Sequence, residues 1–405
     1  MATQTDLNLD DLVQETPTHF RVNRRIYADP AIFQLEMERI YHRGWVYVSH
    51  ETEIPDGGDY KLTYIGKHPV IVARSSDDGL VRVFFNRCRH RGATVCQLEY
   101  GNSNYFRCAY HGWVYNNTGG LVGVPFEEGY GEGFDKDKLG LVQVPRVDSY
   151  KGFVFASLSA DGISLDQHLG NAKRGIDFIV GDGNIWVSKG NNKFGFDGNW
   201  KLQYENTVDA YHFPFVHETQ VAIRIKHMPP GTKLDATALN NQGSRTRDLG
   251  NGHNTLVEDP YDLDYEVPAA GMNFNIGVFP NLDVLALEQV QPTHIRHIRP
   301  IAHNRTEVTI HPLIRGKDSP EVTFKRLRQH EEFYGPAGFG APDDWAMFDR
   351  VQRGMAAEDV EWILFSRGLQ AEEVDEARGI RTNRGNWGEA SQRALYRQWK
   401  RVMAE

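Results

Sequence analysis

Two cysteine–histidine pairs constrain this chain more than any other feature. The first lies in Asn86-Arg87-Cys88-Arg89-His90-Arg91-Gly92, the second in Phe106-Arg107-Cys108-Ala109-Tyr110-His111-Gly112-Trp113. The spacing is Cys-x-His, seventeen residues, then Cys-x-x-His. Two thiolates and two imidazoles at the tips of paired β-loops can hold a metal centre. A fold that uses them has to bring Cys88, His90, Cys108 and His111 together. Gly92 and Gly112 directly follow the pairs and suit loops that wrap closely around a ligand. The remaining cysteine, Cys96, has no partner left and reads as a small buried apolar residue. Three cysteines in 405 residues rule out a disulfide framework.

Each pair supplies one Cys and one His. One Cys from each loop can ligate one iron and one His from each the other, which is the ligand division of a Rieske [2Fe–2S] centre. The alternatives are a structural zinc site and a packed core cluster. Zinc sites commonly space cysteines as Cys-x₂₋₄-Cys or histidines three to five residues apart, and neither spacing occurs here.

The rest of the chain reads as α+β. Residues 1–27 form a polar lead-in. Asp29 caps a helix with Pro30 at its first position, and Ile32, Phe33, Leu35, Met37 and Ile40 give that helix an apolar face ending near Gly44. Between Trp45 and Ser157 short β-rich runs alternate with turns: Tyr60–Tyr64, Val70–Ala73, Leu80–Phe85 and Gly152–Ala156. Further on, a helix is expected near Leu165–Val180, strands at Ile185–Ser188 and Lys193–Phe196, and a longer helix from Asn199. Residues 228–270, rich in Gly, Pro, Asn and Asp, read as an irregular lid or binding loop. Strands return over Val278–Ile314. Helices follow at Pro320–Tyr334, Asp344–Ser366 and Glu389–Met403. Strands and helices segregate, which favours α+β over a doubly wound sheet. The expected parts are a lead-in and helix (1–44) packing with the catalytic part, a mostly-β [2Fe–2S] domain (45–158), and a catalytic domain with an antiparallel sheet flanked by helices (159–405).

A second constellation follows Asn199: Glu205, Asn206, Asp209, His212, Pro214 and His217. Asp209 and His212 are three apart and would share a helix face. His212 and His217 are five apart and do not stack on a regular helix, but a local break or widened turn at Pro214 could bring both imidazoles to one point. With one carboxylate they would form a 2-His-1-carboxylate triad, which holds Fe(II) with open positions for O₂. Alone, two histidines near a proline read as core residues. Downstream of a one-electron carrier they complete a coherent machine.

In these two motifs and its C-terminal third the chain resembles the large (α) subunit of Rieske non-haem iron aromatic-ring-hydroxylating dioxygenases. The resemblance implies an N-terminal Rieske domain, a catalytic domain with an antiparallel sheet, a trimeric α assembly or an α₃β₃ one, and in many members a small β subunit. It implies that Asp209 links the mononuclear site to the cluster histidine of a neighbouring subunit, here His111; otherwise Asp209 is a helix-surface residue paired with a lysine. It places the third iron ligand in Gly335-Pro336-Ala337-Gly338-Phe339 … Asp343-Asp344, eight residues before Gln352-Arg353-Gly354, hence Asp344. Asp343 and Asp344 could instead serve a helix N-terminus, and Asp359 is the second choice. Ala109 departs from the proline of many relatives.

The implied reaction uses O₂ at Fe(II) held by His212, His217 and Asp344 to place both oxygen atoms on an aromatic ring as a cis-dihydrodiol. A monohydroxylating or demethylating relative would share every ligand, and a non-catalytic electron carrier would lack the solitary iron. No flavin or nicotinamide fingerprint occurs, because Gly129-x-Gly131-x-Gly133 lacks a strand–helix context. Electrons would come from an NAD(P)H-dependent reductase, directly or through a ferredoxin. The C-terminal segments resemble members acting on benzoate-, terephthalate- or salicylate-like acids. In Thr293-His294-Ile295-Arg296-His297, alternation puts His294 and Arg296 on one face. Arg296 could bind a substrate carboxylate or face solvent on a sheet edge. Asn206, Thr207, Val208 and Ala210 neighbour the ligands and are candidate pocket residues. With 54 acidic against 45 basic residues and a net charge of −9, neither nucleic acid nor an anionic membrane is an expected partner. No run approaches a membrane span and the start lacks signal-peptide character, so a cytoplasmic location is expected.

Overall fold

The computed structural model describes residues 8–226, 244–258, 273–287, 293–385 and 387–405. The chain forms two compact units, residues 41–165 and residues 1–40 with 166–405.

The first unit is β-rich. Val81–Phe85, His68–Arg74, Asp59–Ile65 and Tyr100–Asn102 make a four-stranded antiparallel sheet in that order. Leu121–Gly123, Val114–Asn116 and Tyr105–Arg107 make a second sheet, and Arg146–Tyr150, Phe153–Ser157 and Val46–His50 a third. Continuous apolar runs rather than alternation mark the central strands: Val70, Ile71, Val72, Ala73, Val83 and Phe84 are buried, so both faces of the sheet are covered there. The core beneath the metal-binding loops holds Tyr60, Ile71, Phe84, Phe106, Trp113 and Tyr115 together with all three cysteines.

The second unit is built on a long antiparallel sheet. Its order runs Ile185–Val187, Arg305–Arg315, Thr293–Ala302, Leu282–Leu287, Asn273–Val278, His253–Glu258, Arg245–Gly250, Ile380–Arg384, Glu373–Asp375, with Asn192–Phe196 also paired to Arg305–Arg315. Helices Trp200–Asn206 and Ala390–Ala404 contact this sheet.

Four sequence expectations need correction. The lead-in contains strands Val13–Glu15 and Phe20–Asn23 and a helical turn, Arg25–Ala28. The helix near 165–180 is two helices, Leu165–Leu169 and Ala172–Val180, parted at Gly170, whose φ of +44° no helix admits. Within 228–270, residues 227–243 and 259–272 lie outside the described residues, but the remainder is a hairpin rather than an irregular loop. Its strands, Arg245–Gly250 and His253–Glu258, turn at Asn251-Gly252, both with positive φ. Last, the helix expected to reach Ser366 is Ala341–Gly354, and Trp362–Leu364 is instead a strand paired with Phe20–Asn23.

Candidate iron centres

The two Cys-His loops are built alike. Cys88 N–H donates to Ala93 O and Gly92 N–H to Cys88 O; Cys108 N–H donates to Trp113 O and Gly112 N–H to Cys108 O. Gly92 and Gly112 have φ of +77° and +73°, so a glycine closes each loop without strain. Both thiols are buried and His111 is exposed. The His90 and His111 rings are 4.5 Å apart, and His90 stacks on Trp113 at 5.0 Å. Cys88 Sγ lies 3.2 Å from Tyr115 Oη. Burial pushes the Cys108 thiol up, and nearby Cys88 adds to the shift. Two sulfurs buried side by side with two imidazoles at the open edge fit a cluster that takes thiolates on its inner iron and histidines on its outer one. Cys96 is buried in the same apolar core, its thiol pushed up to about 12 by burial. Sequence reasoning did not single out Tyr115. Its signal was the alternation Trp113-x-Tyr115 entering a strand from the second loop.

In the second unit Asn199 starts the helix Trp200–Asn206, accepting from Lys201 N–H at 3.2 Å. The helix stops at Asn206, so Asp209 and His212 do not share a helix face as expected. His212 instead caps the single turn Phe213–Val216, and His217 closes it. Pro214 sits in the first two positions of that turn, where no intrahelical N–H is needed. It therefore starts a turn rather than breaking one, and one turn brings both imidazoles to the same side.

Asp344 arrives from the first turn of Ala341–Gly354. Gln352 fastens that helix: its Oε1 accepts from Asn199 N–H at 2.9 Å and its Nε2 donates to Tyr27 O at 3.3 Å. Asp344 Oδ1 lies 3.3 Å from His212 Nε2 and 3.3 Å from His217 Nε2. The three ligand atoms lie within 4.8 Å of one another, the one such group among the described residues. Two ligands each about 2.1 Å from a metal and at right angles would be about 3 Å apart, so the spacing suits a facial triad. His217 Nδ1 has no hydrogen-bond partner among the described residues. Burial opposes charge on both His212 and Asp344. The carboxylates of Asp209 and Asp344 nevertheless push His212 up to about 10, and the two imidazoles hold Asp344 well below the usual carboxylate range. Asp343 is half exposed, 3.9 Å from His217 Nδ1, and Asp359 is exposed and outside the group.

Asp209 Oδ2 lies 3.3 Å from His212 Nδ1, and its Oδ1 accepts from Tyr211 N–H at 2.8 Å. Asn206 Nδ2 is 3.3 Å from His212 Nε2 and 3.4 Å from Asp344 Oδ1. Val208 and Ala210 pack with Leu256 in a small apolar cluster.

Arg296 does not face solvent. Its strand lies inside the sheet, between Leu282–Leu287 and Arg305–Arg315, and the residue is 4% exposed. Arg296 donates from Nη1 to Thr207 Oγ1 (3.2 Å) and from Nε to His294 Nε2 (3.2 Å). Thr207 Oγ1 also donates to Asp283 Oδ2 at 2.7 Å. Asp283, opposite Arg296 in the strand register, was missed in the sequence, though a lone acid in Leu282-Asp283-Val284-Leu285 is itself a signal. Burial pushes Asp283 up to about 8 despite Thr207 and Arg296. Ring contacts join this group to the triad: His217 to Phe333 (5.4 Å), Phe333 to Tyr334 (4.5 Å), Tyr334 to His294 (4.3 Å).

The chain is similar to known proteins over most of its length. A family model described as the ring hydroxylating alpha subunit (catalytic domain) matches residues 183–405, and one for the Rieske [2Fe-2S] domain matches residues 44–147. The large subunit of 2-halobenzoate 1,2-dioxygenase from Burkholderia cepacia is 34% identical over 389 residues, 89% of this chain and 83% of its own. The large subunit of anthranilate 1,2-dioxygenase from Acinetobacter baylyi is 35% identical over 384 residues, 86% of this chain and 80% of its own. The crystal structure of naphthalene 1,2-dioxygenase from Rhodococcus sp. bound to indole superposes with a TM-score of 0.84 at 28% identity, covering 95% of this chain and 94% of that one. The chain belongs to the ring-hydroxylating α subunits of the Rieske non-haem iron oxygenases. Its cofactors are a Rieske [2Fe–2S] cluster and a mononuclear iron. No helix among the described residues is long and apolar enough to cross a membrane.

Proposed function

We propose that the chain is the terminal oxygenase component of a multicomponent dioxygenase that cis-dihydroxylates an aromatic carboxylate. The observation that carries the substrate class is the buried Arg296. Among the described residues it forms no salt bridge. Burial pushes the carboxyl of its cross-strand neighbour Asp283 up to about 8, which disfavours the charged form of that acid. A buried guanidinium without a counter-charge is costly, and a carboxylate ligand would supply that charge. The cation sits close to the triad: Thr207, which accepts from Arg296, follows Asn206, which contacts His212 and Asp344. An acid group held by Arg296 would present its ring toward the triad.

Cys88, Cys108, His90 and His111 would hold the cluster, and His212, His217 and Asp344 the solitary iron. The chemistry these groups would supply is single-electron delivery from the cluster and dioxygen activation at the solitary iron. Asp209 would keep the proton of His212 on Nδ1 and leave Nε2 to the metal. In the assembly, Asp209 would face His111 of a neighbouring copy; its side chain is 30% exposed and His111 is exposed. A reductase, a ferredoxin, a small β subunit and a trimeric or α₃β₃ assembly complete the proposal. The large-subunit names of the relatives support it. A cytoplasmic location is part of the same reading.

The test is turnover of benzoate, salicylate and terephthalate by the iron-loaded oxygenase with a reductase and ferredoxin under isotopically labelled dioxygen. Two labelled oxygens in a cis-diol acid are expected. One labelled oxygen would make the chain a monooxygenase, and iron in the cluster alone would make it an electron carrier.

A further inference from the structure

Beside Arg296 lies a polar group that neither the metal sites nor the fold employs. His294 has no exposed surface. It shares a sheet face with Arg296 and packs against Tyr334 at 4.3 Å and His330 at 5.2 Å. Its Nε2 is 3.2 Å from Arg296 Nε. A guanidinium N–H can only donate, so Nε2 is the acceptor and the imidazole proton sits on Nδ1. That Nδ1–H has no hydrogen-bond partner among the described residues. Burial, with the charge of Arg296 and the neighbouring His330, pushes the ring's pKa well below the ordinary histidine value, so the ring stays neutral.

A buried N–H donor left unpaired costs free energy, and native proteins rarely keep one without a use. Arg296 is incompletely used as well. Its Nε and Nη1 are engaged by His294 and Thr207, while Nη2 makes no hydrogen bond among the described residues. Two neighbouring donors thus lack acceptors on one face of one strand. A carboxylate offers two oxygens to such a pair. An amide, ether or halide offers at most one comparable acceptor and no charge.

We propose that His294 is a second carboxylate-binding residue, donating its Nδ1–H to one oxygen of the substrate carboxylate while Arg296 Nη2 holds the other. This rests on the aromatic-acid reading of the site and adds a residue to it. It also assigns a reason for the His294–Arg296 contact: the guanidinium fixes the tautomer, and the tautomer aims the second donor.

The experiment measures affinity rather than turnover. Benzoate and its neutral isostere benzamide are titrated calorimetrically into the cluster- and iron-loaded protein, and the affinity ratio is compared across wild type, Arg296→Gln, His294→Gln and His294→Asn. A glutamine amide reaches the Nε2 position and keeps the contact to Arg296, whereas an asparagine amide mimics Nδ1–H. His294→Gln is expected to lower the benzoate preference by about tenfold or more, as loss of a hydrogen bond to a charged group does. His294→Asn should keep it within about threefold of wild type, because the donor remains. A full preference in His294→Gln, or a lost one in His294→Asn, overturns the assignment, so either variant decides it if the other does not fold. If wild type itself does not prefer benzoate, the aromatic-acid reading fails and His294 falls with it. If Arg296→Gln abolishes the preference while His294→Gln leaves it intact, only the role of His294 is refuted.

Discussion

Replacing Glu36 by glutamine should unfold the catalytic unit far more easily than its position, outside any site, suggests. Glu36 and Lys201 form an ion pair at 2.5 Å with both side chains 0% exposed. The same carboxylate accepts from Trp200 Nε1 at 2.9 Å and from Trp399 Nε1 at 2.7 Å. One acid therefore joins three elements: its own helix Pro30–Glu36, the helix that leads to Asn206, and the C-terminal helix. Burial pushes the Lys201 ammonium down, and Glu36 pulls it back up. Removing one partner of a buried pair typically costs about 3–5 kcal/mol, because the other charge is stranded. A glutamine offers one acceptor oxygen where three donors converge, so a stranded N–H adds about 1–3 kcal/mol to the same defect. These losses overlap rather than add, but either is large against a domain stability of about 5–15 kcal/mol. Lys201→Met should cost less than Glu36→Gln, since the carboxylate keeps its two indole donors and can take up a proton. Urea unfolding followed by tryptophan fluorescence suits the question, because Trp200 and Trp399 lie in the cluster. The double variant should show a coupling of about 0.5–3 kcal/mol. If both single variants unfold within about 1 kcal/mol of wild type, a spread typical of surface changes, the reasoning is wrong. An inverted order, with Lys201→Met the worse, would refute the view that the acid is the hub.

Other expectations follow from the two centres. Asp344→Ala should lose the solitary iron by elemental analysis while the cluster's visible absorbance persists, and Cys88→Ser should do the reverse. Asp209→Asn should keep the solitary iron and a reducible cluster yet lower turnover by at least about tenfold, as disruption of a metal ligand's hydrogen-bond partner does; unchanged single-turnover rates would remove Asp209 from the electron path. Benzoate affinity should weaken as pH rises through about 8, where Asp283 ionises and neutralises Arg296. Asp283→Asn should flatten that profile. Stability has the same sign. Asp283 and Glu205, raised by burial to about 8 and about 7, keep protons that the unfolded chain releases near pH ~4. Their contribution is complete below that value and is lost as pH climbs through the native ones. The Asp283→Asn, Glu205→Gln double variant should show a shallower decline in urea midpoint between pH 5 and 8.

Local chemistry was the part most legible in the sequence. Cys88/His90 and Cys108/His111 declare themselves because each pair lies within one tight loop, where spacing limits geometry. His212 and His217 were visible as residues, but the device that aligns them was misread, because a proline marks a turn start as readily as a helix break. Asp344 lies in another helix and could be chosen only through its surrounding motif. The strands Arg245–Gly250 and His253–Glu258 escaped for a different reason. Their buried positions include Arg247, Asp248, His253 and Asn254, so no apolar alternation announces them. Asp248 is buried against Arg397 of the C-terminal helix at 3.0 Å. Periodicity reads hydrophobic burial and is blind to burial satisfied by ion pairs and hydrogen bonds.

That blindness matters most at the substrate end. Asp283, His294 and Arg296 sit on adjacent strands, among apolar neighbours such as Val284, Leu285, Ile295 and Ile298, where a folding argument alone would place leucine or valine. Structure-stabilising polar clusters satisfy their own members, as Glu36 does with Lys201, Trp200 and Trp399. Around Arg296 the accounting does not close: among the described residues Asp283 Oδ1 and His294 Nδ1 have no hydrogen-bond partners, and the guanidinium forms no salt bridge. A closed network at Glu36 and an open one around a buried cation at Arg296 fit a scaffold role for the first and a ligand-binding role for the second. That contrast predicts that hydrophobic replacement at Arg296 by methionine will preserve or raise the urea midpoint, while acid binding is lost. A destabilised Arg296→Met protein would place the cation in the scaffold and leave the carboxylate site to be sought elsewhere.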